Sequence, residues 1–141
     1  MKDPILVLMM FAAAADGSID EIEVSKIIDT ANSYPYWKGL TEGQKFDLSS
    51  SCQDVLKANE SKEAAVKFVC DLVPENLRFA AFAFCFEVIA SNFKINDAES
   101  GFVKLIFEAL SISDEFAAAC EHSILARYFS VGNENYIKTF V

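Results

Sequence analysis

Two short stretches that read alike decide the fold. Ala14-Ala15-Asp16-Gly17-Ser18-Ile19-Asp20-Glu21-Ile22-Glu23 lies over Ala90-Ser91-Asn92-Phe93-Lys94-Ile95-Asn96-Asp97-Ala98-Glu99 at a constant offset. Ala14 matches Ala90, Ile19 matches Ile95, Glu23 matches Glu99, and Ile27 falls on Val103. In both places a strongly apolar stretch ends at a small residue. A short polar loop with one inward isoleucine follows, and an amphipathic segment then begins. A unit that recurs at fixed spacing is one supersecondary piece used twice. The loop chemistry explains the restart. Asp20 and Asn96 are good N-cap residues, and Glu23 and Glu99 stand three positions later. In that arrangement the cap side chain takes one orphan amide and the glutamate reaches back to another.

The pattern extends outward from both bends. Phe79–Ala90 is apolar on nearly every face except Glu87, which marks an enclosed, central helix. Met1–Ala15 is its counterpart, with Pro4 suited to a first helical turn. After the second bend, Ala98, Phe102, Val103, Ile106, Phe107 and Leu110 recur at helical spacing. After the first, Ile22, Ile27, Ile28 and Ala31 do so more loosely. Thr41 with Gln44 opens a helix running to about Ala58. Ser61 opens another, with Ala65, Phe68, Val69 and Leu72 on one face, and Pro74 stops it and starts the next. Ser113 caps a last helix with Ala117, Cys120, Ile124, Leu125 and Tyr128 on its apolar side. The expected fold is all-α: a compact bundle of about seven helices built from an internal duplication of apolar helix, acidic loop and amphipathic helix. Residues 1–130 form a single domain. Residues 131–141 form a tail whose Gly132, Asn133, Glu134 and Asn135 favour mobility and whose Tyr136, Ile137 and Phe140 can tie it down.

Composition agrees with this reading. At 141 residues the chain is one domain by size, able to bury about 70% of its unfolded surface. Hydrophobic residues make up 52%, which excludes disorder for most of the chain. Five glycines and three prolines are too few for a turn-rich all-β fold. The net charge of −9 repels phosphate and argues against nucleic acid as a partner, while suiting cations or basic protein surfaces. The start of the chain imitates a secretory signal, with Lys2, an apolar run from Ile5 to Phe11, and alanines to Ala15. A similar run deep in the chain at Phe79–Ala90 makes it a buried first helix instead, and neither run reaches the ~20 apolar residues of a membrane span. Cys52, Cys70, Cys85 and Cys120 are widely spaced in apolar surroundings, as reduced, buried thiols are.

The grammar of these bends resembles the tellurite-resistance TerB-like family of compact helical bacterial domains. The likeness is carried by Ala14-Ala15-Asp16-Gly17-Ser18-Ile19 with Glu23, and by the echo Ala90, Ile95 and Glu99. It spans residues 4–128, with the sharp motif about ten residues long. The resemblance implies a cytoplasmic bacterial domain tied to tellurite or other chemical stress, and a divalent metal held by loop carboxylates. Carried over position by position, those carboxylates are Asp16, Asp20 and Glu23 in the first bend and Glu99 in the second, with Asp97 beside it. The second bend departs from the pattern at Asn92, Phe93 and Asn96 and loses two carboxylates, so the first is the better site.

Such oxygen ligands suit Ca²⁺, Mg²⁺ or Mn²⁺. Carboxylates near a helix N-terminus are also favoured by the macrodipole and by capping alone. The spacing is not that of an EF-hand, because Glu21 and Ile27 stand where glycine and a bidentate glutamate belong. Glu87 is either a carboxylate bonded to a neighbour at the bundle's edge or a weaker added ligand. His122 reads as an ordinary boundary histidine. Tyr34-Pro35-Tyr36-Trp37 packs on the bundle or anchors a partner. With one histidine and no nucleophile elbow, phosphate loop or zinc motif, the chain reads as non-enzymatic. The expected function is a helical stress-response module, docking to a protein or membrane-associated partner through acidic, cation-dependent loops. The alternatives are a bundle that binds an apolar acyl or lipid ligand, and a homo-oligomerising scaffold.

Overall fold

The computed structural model describes residues 3–15, 21–37, 42–90 and 97–127, with the side chains of residues 21–24, 42 and 45 left aside. Seven α-helices are described: α1 Pro4–Ala13, α2 Glu21–Asn32, α3 Glu42–Ala58, α4 Lys62–Leu72, α5 Arg78–Ala90, α6 Asp97–Ala109 and α7 Asp114–Arg127. Short 3-10 helices occupy Pro35–Trp37 and Glu75–Leu77. No strand occurs among the described residues, and none of their helices is long and apolar enough to cross a membrane. The expected caps at Asp20, Thr41 and Asn96 and the tail from residue 131 lie outside the described residues.

α1 is the hub. It packs on α5, α2, α4 and α3, and every residue from Ile5 to Ala12 is buried. Burying one such aliphatic side chain contributes about 1.5–3 kcal/mol. An all-round apolar helix therefore has its lowest free energy at the centre, and the signal-like start of the chain is core. α5 lies against it, with Phe82, Cys85, Phe86 and Ile89 fully enclosed.

Local chemistry sets the helix ends. Asp3 caps α1, its Oδ1 accepting from the Leu6 amide at 3.1 Å, and Pro4 supplies the first turn. Ser61 accepts from the Ala64 amide at 3.1 Å, and Ser113 accepts from the Phe116 amide at 3.2 Å. Past α6, Ser111 adopts φ 55°. The Ile112 amide donates to the Phe107 carbonyl at 3.0 Å and that of Ser111 to Glu108 at 3.1 Å. This is a Schellman closure with serine in the left-handed position that glycine usually takes.

Two helix-face expectations need correction, on α4 and α6. On α4 the buried face is Ala65, Val66, Val69 and Cys70, whereas Phe68 and Leu72 are 47% and 45% exposed. The stripes Ala65–Val69–Leu72 and Val66–Cys70–Val73 both have helical spacing, and the bundle buries the second along with Ala65 and Val69. Phe46 and Phe79 also face solvent, 74% and 54% exposed. On α6, Glu99 is buried and Ala98 exposed, the reverse of the amphipathic expectation at that turn.

Candidate functional site

The loop Tyr34–Trp37 packs on the bundle. Trp37 is buried, its ring 4.8 Å from that of Phe84, and Tyr34 meets Phe84 at 4.9 Å. The Trp37 indole N–H donates to Asp3 Oδ2. One carboxylate thus caps α1 and pins the aromatic loop over its start. Nearby, Glu87 accepts from Arg127 at 3.3 Å, with its side chain 13% exposed against 57% for the arginine. Burial, then the Glu87 charge, pushes the Tyr34 hydroxyl pKa up, and Arg127 pulls it back. Glu87 therefore belongs to an ion pair that ties α5 to the end of α7.

The acidic residues of the bends divide differently. Asp16 and Asp20 lie outside the described residues, as does the side chain of Glu23. Asp97 opens α6 and is exposed, while Glu99 in the same turn is 5% exposed and engaged within the protein. Among the described residues, no group of three or more histidine, cysteine or acidic side chains is placed to hold a metal. Asp97 and Glu99 by themselves are not a cation site.

The flanks of the two bends do come together. Ala14 and Ala15, which lead into the first, and Ala98 and Gly101, which lead out of the second, line one groove of about 430 Å³. Phe11, Val66, Phe102 and Leu105 from α1, α4 and α6, with Leu56 of α3, complete its apolar lining. Four charged residues of alternating sign mark its edges: Lys62 and Glu63 on α4, Lys104 and Glu108 on α6. Lys62 Nζ also donates to the Ala14 carbonyl at 3.3 Å, putting a positive charge at the negative end of α1.

The groove is open because of small residues. A Cβ added at Gly101 would meet nothing within 4 Å. A glycine inside a helix costs about 0.5–1 kcal/mol relative to alanine, so this one marks open surface and not close packing. Gly101 inside an amphipathic repeat was the available sequence signal for the groove. Lys62 and Leu56 carried none, because their place depends on how α3 and α4 pack on α1.

The thiols are protected by burial. Cys52 and Cys70 are pushed up to about 12 by burial, and Cys85 well above its usual value, chiefly by burial. His122 is exposed. What the arrangement offers is binding through an apolar groove with edges of both signs. No family model, curated protein or solved structure matches the chain, so the TerB-like resemblance rests on the bend motif alone.

Proposed function

We propose that this protein is a non-enzymatic helical docking module whose binding surface is the groove between α1, α3, α4 and α6. The observation that carries this reading is the meeting of both bend flanks, Ala14–Ala15 and Ala98–Gly101, in one apolar groove. The edges favour a protein partner over an acyl chain. Lys62, Glu63, Lys104 and Glu108 offer both signs at close spacing, which suits polypeptide side chains better than a single anionic headgroup.

The TerB-like resemblance adds a cation-dependent form of the same proposal. In it, carboxylates at Asp16, Asp20, Glu23, Asp97 and Glu99 gather a divalent ion, and the ion draws the bends toward the groove in a cytoplasmic stress response.

The test is photo-crosslinking in the source cells from a photoreactive residue at Leu105, with one at His122 as a control away from the groove. A discrete protein adduct from Leu105, absent from His122 and weakened by chelator, supports the reading with its cation arm. An adduct insensitive to chelator supports docking and removes the cation. A co-purified acyl chain in native mass spectrometry, with no protein adduct, overturns docking in favour of a lipid-binding bundle.

A further inference from the structure

α6 and α7 are consecutive in the chain, yet their backbones stay apart, and each packs on α5. Between them lies a second cleft of about 400 Å³ on the other side of Lys104. α6 contributes Ser100, Val103, Lys104 and Phe107, and α7 contributes Asp114, Ala117, Ala118 and Glu121. Both sets follow the i, i+3, i+4, i+7 spacing of a single helix face. Phe82 of α5 is fully buried and also lines the cleft, its ring 6.5 Å from that of Phe107. Ala117 and Ala118 keep the α7 wall low. Two helices splayed over a third, with complete faces turned to the gap, make a seat for one more helix.

Charge complementarity identifies the occupant. The chain carries a net charge of −9, and the α7 wall sets two carboxylates, Asp114 and Glu121, against the single Lys104 opposite. No ion pair or side-chain hydrogen bond among the described residues engages these three. Asp114 has a structural reason to be acidic, in the first turn of α7. Glu121 stands mid-helix and has no such reason. Burial raises its carboxyl pKa, with His122 opposing, so its charged form is disfavoured where it stands.

We propose that the α6–α7 cleft docks an amphipathic helix of a basic protein partner, apolar residues on Phe107 and Ala118 and an arginine or lysine between Asp114 and Glu121. This surface shares only Lys104 with the groove of the bends and stands without it.

The test titrates ¹⁵N-labelled full-length protein with a synthetic amphipathic peptide that carries arginines beside a leucine face. The same peptide with glutamates is the control. The arginine peptide is expected to shift the amides of Ser100, Ala117, Ala118 and Glu121 and to bind at least about tenfold more tightly than its control. Glu121→Gln weakens it about tenfold without lowering the melting temperature, and Ala118→Leu, which fills the cleft, abolishes it. Equal binding of the two peptides, no binding of the arginine peptide, shifts confined to the α1–α4 groove, or an unchanged affinity in Glu121→Gln would each overturn the proposal.

Discussion

Asp3 makes two bonds with its two carboxylate oxygens, and its replacement tests how the start of α1 is anchored. Oδ1 accepts from the Leu6 amide, and loss of an N-cap costs about 1 kcal/mol. Oδ2 accepts from the indole N–H of the buried Trp37, and an indole N–H left unpaired there costs about 2 kcal/mol. Asp3→Ala loses both, so the expected destabilisation is about 3 kcal/mol. Asp3→Asn keeps a cap of equal quality but sets an amide N–H₂ against the indole N–H, so about 2 kcal/mol is expected. Removing the donor with Trp37→Phe should make Asp3→Asn nearly neutral. The assay is urea unfolding followed by far-ultraviolet circular dichroism, because Trp37 is the only tryptophan and its loss removes the fluorescence signal. Midpoints should shift with unchanged slopes. An Asp3→Asn variant as stable as the native protein would refute the anchor. So would the same Asp3→Asn cost with and without the indole.

Other consequences are local. Ser111→Gly should stabilise by about 1 kcal/mol in the same assay, because φ 55° strains a residue that carries a Cβ. Glu121 has a folded pKa raised above 4.5, chiefly by burial, so the folded state holds its proton more tightly and stability falls as pH rises through that raised value. Glu121→Gln should therefore be more stable than the native protein at neutral pH, the difference shrinking as pH falls toward 4.5 and below. The four cysteines are buried, so a thiol reagent at neutral pH should label them only at the rate of unfolding.

Much of the helical framework was legible because it depends on neighbours in sequence. Ser61, Pro74 and Ser113 act within a turn of their own position, and the runs at Ile5–Ala12 and Phe79–Ala90 are too apolar for any site but the centre. The failures came where two local solutions were nearly equal. On α4 the stripes led by Ala65 and Val66 differ by one residue, and the surface of α1 and α6 chose between them. The role of Asp3 was not legible, because its bond to Trp37 spans 34 positions. The groove where Ala14–Ala15 meets Ala98–Gly101 was not legible, since it depends on how α1, α4 and α6 pack. The cleft between α6 and α7 was equally invisible, because spacing gives each helix a face but not the distance between them.

Gly101→Leu offers the most direct measurement of the docking claim. A side chain at this position enters open space in the groove and relieves an unfavourable helix glycine. Thermal melting and partner crosslinking from Leu105, measured on the same preparation, should give a melting temperature equal to or above that of the native protein and no adduct. An undiminished adduct from the filled groove would contradict the account.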